Sequence, residues 1–381
     1  MAKILITSTD VMMIQFLVPH VQNLYSNGHQ VDVACSNAAG YEKEGYREGI
    51  IKQLPEGSRY FTLHLERNPF SLKFKKGYTE LKSIINSTNY DLIWTNEPVM
   101  SVATRLAALE ARKKGTKLLY LVHGFHFFKG APLINWVFYP VEKIMSYFCD
   151  AMCMINWADY EFCKRHMQGI PVYHIDGIGL KVNKFKDIVV DRDRKRKELG
   201  VSEDEILVLS VGELQVRKNH IAMLKAIASL NNSKIKYMIC GCGALKDMLV
   251  QKASELGIGG GNLLLPGHRY DIPEILKSAD IFAHPSQREG LGIAAIEAMA
   301  AGLPLVSSNV QGIADFSKTG ITGYCLEPND VKGYADALRS LIENPDERQR
   351  MGEYNIQAAQ KYDISNSKEQ VLRIINNVMR L

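Results

Sequence analysis

Short, β-branched apolar runs alternate with amphipathic segments of helix length along the whole chain of 381 residues. This alternation is typical of parallel sheets whose strands are joined by crossover helices. The short runs are apolar throughout, as expected for strands that helices cover on both faces. Because the chain is too long for one ordinary α/β domain, we predict two doubly wound α/β domains.

The predicted strands form two sets, one in each half of the chain. The first set is 3–7, 31–34, 92–95, 117–122, 151–155 and 172–176. The second set is 206–211, 235–240, 262–265, 280–283 and 304–308. We therefore predict an N-terminal domain at 1–185, a C-terminal domain at 186–363, and a final helix at 364–381 that packs back toward the N-terminal domain.

Composition and charge exclude several classes of protein. The net charge is a mild +5, and the basic run at 191–197 is interleaved with acidic residues and ends before Gly200, as in a solvated helix. We therefore expect no nucleic-acid partner. The seven cysteines form no metal-type or disulfide pattern, and no uninterrupted apolar run reaches about 18 residues. These features favour a cytoplasmic protein without a membrane span.

Segment 131–149 is the most apolar and aromatic stretch that could lie at the surface. One interpretation places it in a membrane interface, with Trp136 and Tyr139 at the level of the lipid headgroups. The alternative is a helix buried in the first domain. The sequence alone leaves both open, although Glu142 and Lys143 exclude a span.

The densest chemical pattern lies at 280–304. A strand ends there, a turn follows, and a helix is predicted from Leu291 to Ala301. Gly290 and Gly292 at the helix start let the backbone approach a ligand, and the free N–H groups and helix dipole favour a phosphate. Glu289 and Glu297 flank this start, and a carboxylate so placed can accept hydrogen bonds from ribose hydroxyls.

Residues 285–304, read as PSQREGLGIAAIEAMAAGLP, resemble the retaining family 4 glycosyltransferases of the GT-B fold, with their Glu-x7-Glu pattern. Three further segments of the second half are similar to loops of that family. They are 211–220 (its diphosphate loop), 241–245 (its Gly-x-Gly-x-Leu turn) and 267–272 (its loop near the base). In the first half, the dipeptide His123-Gly124 after a strand is similar to the family's His-Gly.

The resemblance implies a GT-B architecture, in which two Rossmann-like domains face each other across a cleft. It implies a hexosyltransferase that uses a nucleotide-sugar, with UDP as the usual nucleotide, and that retains the anomeric configuration. The donor would bind the C-terminal domain and the acceptor mainly the N-terminal domain.

The resemblance also implies a set of site residues. The donor-binding residues are Gly212, Arg217, Lys218, Arg269, Glu289, Gly290, Leu291, Gly292 and Glu297. The catalytic residues are His123, Lys218 and Glu289, and the acceptor-binding residues are His123 and Gly124.

Individual roles follow from the same resemblance. Lys218 and Arg217 would neutralise the leaving diphosphate, an electrostatic role that is often large in transfer reactions. Glu297 would hold the ribose, and Glu289 would face the donor sugar. Arg269 and its neighbours would flank the base through backbone contacts.

Two departures from the family pattern stand out. The diphosphate loop has Glu213 where an arginine is frequent. The first strand leads to residues 9–16, which we interpret as an apolar loop at 11–17 in place of a Gly-Gly loop. With segment 131–149 and the basic residues 112–114, this loop favours a lipid-linked acceptor.

No group of His, Asp and Glu has the spacing of metal ligands, so we expect no metal and no cofactor. The expected function is transfer of a hexose or N-acetylhexosamine to a lipid-linked sugar in polysaccharide or glycan assembly. The enzyme would be peripheral on the inner face of the cell membrane. A soluble small-molecule acceptor, a sugar-nucleotide epimerase and a non-catalytic sensor remain alternatives.

Overall fold

The structure is a computed structural model that describes residues 1–36, 45–68, 71–167 and 169–380. Contacts between residues divide the chain into two compact units. The N-terminal unit contains Met1–Gly179 together with the chain from Ile364 onward, and the C-terminal unit contains Leu180–Asp363.

The N-terminal unit has a sheet of seven parallel strands among the described residues, in the order β3-β2-β1-β4-β5-β6-β7. The strands are β1 Lys3–Ser8, β2 Gln30–Ser36, β3 Tyr60–Leu63, β4 Leu92–Asn96, β5 Lys117–Val122, β6 Ala151–Met154 and β7 Val172–His174. The helices are α1 Val11–Ser26, α2 Tyr46–Ile51, α3 Leu72–Ser87, α4 Pro98–Ala107, α5 Leu109–Lys113, α6 Phe138–Ser146 and α7 Trp157–His166. A 3₁₀ helix, Leu133–Val137, precedes α6.

The C-terminal unit has a second parallel sheet, in the order β10-β9-β8-β11-β12-β13. The strands are β8 Ile206–Val211, β9 Ile235–Cys240, β10 Leu263–Gly267, β11 Ile281–His284, β12 Leu305–Ser308 and β13 Gly323–Leu326. The first helices are α8 Asn183–Lys186, α9 Arg192–Glu198, α10 His220–Ser229, α11 Lys246–Glu255 and α12 Ile272–Ser278. The remaining helices are α13 Ile293–Ala301, α14 Ile313–Phe316, α15 Val331–Glu343, α16 Pro345–Ala359 and, in the N-terminal unit, α17 Ile364–Met379; short 3₁₀ helices span Val216–Lys218 and Gln360–Tyr362.

These two sheets confirm the predicted fold class. Each predicted strand appears, whereas β3 and β13 were missed. Both missed strands lie at the edge of a sheet and are only partly buried. Each is only four residues long and contains a polar residue or a glycine, so neither has the longer apolar run that marks a central strand.

The last helix packs within the N-terminal unit. Residues Val371, Ile374, Ile375 and Val378 of α17 are buried, and the helix lies against α1. The hydroxyl of Ser367 also donates to the carbonyl of Gly177 at 2.8 Å. The N-terminal unit ends at Gly179, a few residues before the predicted boundary at 185.

The interpretation of residues 11–17 as a loop was wrong, because they form the first two turns of α1. Asp10 caps this helix, and its carboxylate accepts a hydrogen bond from the N–H of Met12 at 2.9 Å. Ile14 and Leu17 are buried while Met12 is exposed, which is the pattern of a helix that covers a sheet. The N-cap aspartate was the overlooked signal.

Helix α6 is anchored by a buried ion pair. The guanidinium of Arg105 on α4 donates to Glu142 on α6 at 2.9 Å, and the hydroxyl of Tyr120 donates to the same carboxylate at 3.1 Å. Arg105 also lies over the Tyr120 ring, 4.5 Å from its centroid. Because both charges are almost fully buried, each is stable there only with its partner.

The other face of this segment is apolar and exposed. We call it the α6 apolar face; it consists of Leu133, Ile134, Val137, Phe138, Val141 and Ile144. Trp136 and Tyr139, which the membrane-interface interpretation placed at the headgroup level, are only partly exposed and pack on the rings of Phe127 and Phe162, as a partly buried helix requires. No helix within the described part of the chain is long and apolar enough to cross a membrane.

We predict that Glu142→Ala lowers the free energy of unfolding by about 3–5 kcal/mol, because it leaves the Arg105 charge buried without a partner. Urea denaturation followed by circular dichroism measures the change. Glu110→Ala is the control, since it removes an exposed pair with Lys113 and should leave the midpoint almost unchanged. Equal effects of the two substitutions would contradict the assigned role of the buried pair.

Candidate functional site

The sheet of the C-terminal unit reverses its strand order between β8 and β11. In open α/β sheets, ligands bind beyond the carboxyl ends of the strands at such a switch point. Two loops meet there, one after β8 and one after β11. The N–H of Gln287 in the second loop donates to the carbonyl of Arg217 in the first at 2.7 Å, so the two loops are held together.

A buried ion pair lies at this switch point. The ammonium of Lys218 donates to Oε2 of Glu289 at 2.6 Å, and both side chains are less than one-fifth exposed. The guanidinium of Arg217 lies 3.7 Å from the same oxygen. Burial alone would raise the pKa of Glu289, but the charges and hydrogen bonds of Lys218 and His284 together outweigh it and hold that pKa below its usual range.

The backbone of the first loop brings Lys218 to this position. Asn219 adopts a left-handed conformation with φ of 56°, and its side-chain amide donates to the carbonyl of Pro328 at 2.7 Å. The side chain of Lys218 then passes over Gly212. A Cβ atom on Gly212 would lie 3.2 Å from Cε of Lys218, so a larger residue would push the ammonium away.

The second loop ends at the start of α13. This helix begins at Ile293, two residues later than predicted, and Gly292 precedes it with φ of 92°. A Cβ on Gly292 would lie 3.2 Å from Nε2 of the buried His284 and 3.4 Å from Cγ of Glu289. Leu291 is buried, so the loop that contains Gly290 is held against the unit while the first N–H groups of α13 stay available for an anion.

Glu297 lies on the same helix, one turn further along. Its carboxylate makes no hydrogen bond and no ion pair with any residue that the structure describes. Burial raises the pKa of Glu297 to about 7, and the charge of Lys184 offsets this only in part. A carboxylate on so apolar a helix requires a polar partner, which a bound ligand with hydroxyl groups can supply.

Glu213, the departure from the family pattern, forms an ion pair with Arg217 at 2.9 Å. Its carboxylate therefore neutralises part of the positive charge of the loop. The structure thus shows that Glu213 contacts Arg217. Of the two cations in this loop, Lys218 is more enclosed than Arg217.

Arg288 was missed by the sequence analysis, because it stands at a variable position of the quoted pattern. It is partly buried, and burial together with the nearby charge of Arg217 lowers its pKa. It forms no ion pair with the described residues. The loops at the switch point therefore carry three cations, Arg217, Lys218 and Arg288, against the two carboxylates of Glu213 and Glu289.

Arg269, predicted beside the base, is engaged elsewhere. Its guanidinium donates to Asp271 at 2.5 and 2.8 Å and to Glu198 of α9 at 2.8 Å, and these bonds raise its pKa. Only its backbone is then available to a base, as the prediction specified. The rings of His268 and Tyr270 beside it pack edge to face, 4.7 Å apart.

His123 and Gly124 belong to the N-terminal unit and follow β5. Nε2 of His123 donates to Oδ1 of Asn96 at 3.0 Å; this direction follows because the amide nitrogen of Asn96 donates to the carbonyl of Thr7. Burial lowers the pKa of His123 to about 4, so the imidazole is neutral at physiological pH. Its Nδ1 lone pair is then a hydrogen-bond acceptor.

Comparison with known proteins identifies the family. Residues 4–156 match the family model described as "Glycosyl transferase 4-like", and residues 191–358 match the one described as "Glycosyl transferases group 1". EpsD of Bacillus subtilis (strain 168), whose name assigns it to the glycosyltransferases, is 31% identical over 345 residues, which cover 89% of this chain and 90% of that protein. The chain therefore belongs to the family 4 glycosyltransferases with the GT-B fold.

Two further similarities concern proteins with named ligands or substrates. The Escherichia coli UDP-Gal:alpha-D-GlcNAc-diphosphoundecaprenol alpha-1,3-galactosyltransferase is 28% identical over 288 residues, 73% of each chain. The crystal structure of Anabaena Alr3699/HepE in complex with UDP and glucose has a TM-score of 0.80 at 18% identity and covers 99% of this chain and all of that chain. At 18% identity, the similarity to the Anabaena structure is evidence for the fold alone.

We predict that Glu213→Gln strengthens the binding of inorganic pyrophosphate roughly two- to fivefold, because it frees Arg217 from a carboxylate at a partly exposed site. Isothermal titration calorimetry at low salt measures this affinity. Glu203→Gln, which removes an exposed carboxylate of the same unit, is the control and should change nothing. Weaker binding in the Glu213 variant would show that this carboxylate organises the loop.

Proposed function

We propose that this glycosyltransferase moves a hexose or N-acetylhexosamine from a UDP-sugar to a lipid-linked sugar, with retention at the anomeric carbon and without a metal ion. The observation that carries the donor site is the carboxylate of Glu297, which is largely enclosed and has no partner among the described residues. Ribose offers two adjacent hydroxyl groups, which match the two acceptor oxygens of a carboxylate.

The charges at the switch point support a diphosphate. When the bond between the anomeric carbon and the diphosphate oxygen breaks, negative charge develops on the leaving group. Lys218, Arg217 and Arg288 and the first N–H groups of α13 offer positive charge and donors for it. Because side chains and backbone supply this stabilisation, we propose that transfer needs no metal. UDP is favoured because the Anabaena structure holds it and the Escherichia coli relative is named for a UDP-sugar.

Retention is proposed by front-side attack, in which the acceptor oxygen approaches on the side that the diphosphate leaves. A double displacement requires a free carboxylate nucleophile. Glu289 is bound to Lys218 at 2.6 Å, and its lowered pKa makes it a weak nucleophile. We assign it instead to holding Lys218 in place and to hydrogen bonding with the donor sugar through its other oxygen.

Two observations favour a lipid-linked acceptor. The Escherichia coli relative is named for an acceptor on diphosphoundecaprenol. The α6 apolar face is exposed in this chain, with Leu133 and Ile134 exposed by 89% and 75%. Lys129 and Lys143, which are close to this face in the sequence, are exposed, while the sole carboxylate between 128 and 149, that of Glu142, is buried against Arg105. This combination suits the anionic surface of a membrane, and we propose that the enzyme acts at the inner face of the cell membrane.

The first test is nucleotide release from a panel of UDP- and GDP-sugars, with and without a lipid extract of bacterial membranes. We expect UDP from one sugar, released faster with the extract and equally fast in excess EDTA. Glu297→Ala should lower the rate at subsaturating donor by about tenfold or more, because it removes charge-assisted hydrogen bonds. Glu255→Ala, on the exposed side of α11, is the matched control.

The dependence on pH sharpens this test. Since the pKa of Glu297 is raised to about 7, its carboxyl group becomes ionised as the pH rises through neutrality. Donor affinity should therefore increase from about pH 6 to about pH 8 in the wild type and stay flat in Glu297→Gln. Donor binding without any release would overturn the transferase proposal and favour an epimerase or a sensor. Transfer to small sugars alone would favour a soluble acceptor.

The membrane surface has its own test. We predict that the double variant Leu133→Ser/Ile134→Ser binds vesicles of phosphatidylglycerol and phosphatidylcholine roughly tenfold or more weakly, because two large apolar side chains no longer leave water. Sedimentation with the vesicles measures binding. Leu72→Ser removes an equally exposed apolar residue on α3 of the same unit and should bind like the wild type. Equal binding of all three proteins would overturn the assignment of the α6 apolar face.

A further inference from the structure

The sheet of the N-terminal unit also has a switch point, between β1 and β4. The chain continues from β1 to β2 and β3 on one side, while β4 to β7 lie on the other. By the same rule as in the C-terminal unit, a ligand is expected beyond the carboxyl ends of these two strands. The residues there are Ser8 to Asp10 after β1 and Asn96 and Glu97 after β4.

Glu97 spans this switch point. One oxygen of its carboxyl group accepts a hydrogen bond from the hydroxyl of Ser8 at 2.9 Å, and the other accepts one from the N–H of Thr9 at 3.0 Å. The residue stands at the N-cap position of α4, yet its side chain makes no capping bond to that helix. Its φ of 55° is unusual for a residue other than glycine and directs the side chain across to β1.

The carboxyl group of Glu97 still has capacity for a ligand. It forms no ion pair with a lysine or arginine of the described residues, and its side chain is partly exposed. A carboxylate has about four lone-pair sites. The hydroxyl of Ser8 and the N–H of Thr9 use one site on each oxygen, and the hydroxyl of Thr9 also interacts with the carboxyl group. At least one site can therefore accept a further hydrogen bond.

The neighbouring residue Asn96 connects Glu97 to His123. Asn96 holds Nε2 of His123, which leaves Nδ1 of the imidazole as an acceptor. The dipeptide Asn96-Glu97 thus places two kinds of acceptor at the ends of neighbouring strands, a carboxyl group and an imidazole nitrogen. Such a set suits a ligand rich in hydroxyl donors and disfavours an anion.

We propose that Glu97 is an acceptor-binding residue, whose carboxylate accepts hydrogen bonds from hydroxyl groups of the sugar that receives the transferred residue. The proposal rests on the proposed function, since it assumes that a sugar is the acceptor. It adds a residue that neither the sequence pattern nor the family resemblance assigns.

The test compares the wild type with Glu97→Gln, whose amide can keep both local contacts but lacks the charge. The donor is the UDP-sugar that the release assay identifies, and the acceptor probe is the lipid extract of bacterial membranes. We expect the amount of extract that gives half-maximal transfer to rise about tenfold or more in Glu97→Gln, since a hydrogen bond to a charged group is lost. UDP release by hydrolysis without extract, and the donor KM, should stay at the wild-type values.

Two further variants separate binding from folding. Glu97→Asp keeps the charge on a shorter side chain and should show a smaller rise, and Glu110→Gln removes an exposed carboxylate of the same unit and should show none. Melting temperatures of all variants check that the unit is folded. If the melting temperature of Glu97→Gln is lower than that of the wild type, Glu97→Asp is compared with the wild type instead. A rise in the amount of extract that gives half-maximal transfer then supports the role of Glu97, and no rise contradicts it.

The pH profile provides a second readout. Loss of hydration raises the pKa of Glu97 to about 7. The charge of Asp10 also raises this pKa, whereas the hydrogen bonds from Thr9 and Ser8 lower it. The other titratable groups that interact with it are Cys35 on β2 and Tyr120 on β5, whose raised pKa values leave both neutral here. In the wild type, the amount of extract that gives half-maximal transfer should therefore fall as the pH rises through about 7. Glu97→Gln should lack this trend.

The outcomes are distinct. Unchanged half-saturation in Glu97→Gln, with normal transfer by the wild type, would overturn the inference and leave the proposed function intact. Equal loss of hydrolysis and transfer in a folded variant would place Glu97 with the donor and would also overturn it. Absence of transfer by the wild type would overturn the proposed function, and this inference with it.

Discussion

The contact between the ammonium of Lys218 and the carboxylate of Glu289 constrains which residues can surround it at the β8–β11 switch point. Two charges can be enclosed at the end of a sheet only when they meet at hydrogen-bonding distance, here 2.6 Å. Gly212 gives the lysine side chain room, since a Cβ there would lie 3.2 Å from its Cε, and Gly292 lies beside the glutamate. The glycines of the motif thus serve the ion pair as well as the approach of a ligand, and the lysine is already in position before an anionic donor arrives.

The two sheets of the chain share one strand topology but carry different side chains at their switch points. At the β8–β11 switch point, cations outnumber carboxylates, which suits a diphosphate. At the β1–β4 switch point the carboxyl group of Glu97, and after the neighbouring β5 the neutral imidazole of His123, can accept hydrogen bonds, which suits a polyhydroxy compound. A strand order that reverses creates the space, and the side chains of the two following loops decide which ligand can occupy it.

Sequence patterns predicted the parts of this structure whose physical cause is local. The central strands are continuous apolar runs, and the start of α13 is marked by glycines, so both were found. The strands β3 and β13 were missed because each is only four residues long and contains a polar residue or a glycine. The side-chain bond of Arg269 to Glu198 could not be anticipated, because Glu198 lies 71 positions away at the end of α9. Glu97 was missed for the same reason, since its role appears only when β1 and β4 become neighbours.

The segment at 131–149 shows why local composition could not decide between a buried helix and a surface helix. The buried-helix interpretation describes one face of this segment, and the membrane-interface interpretation describes the other. Tyr139 and Glu142 are held by partners on other elements, whereas Leu133 and Ile134 have none that cover them among the described residues. Glu142, which the sequence presents as an interruption of an apolar stretch, neutralises Arg105 in the interior. The exposed face therefore carries no negative charge of its own, which is the property on which the proposed contact with an anionic membrane surface depends.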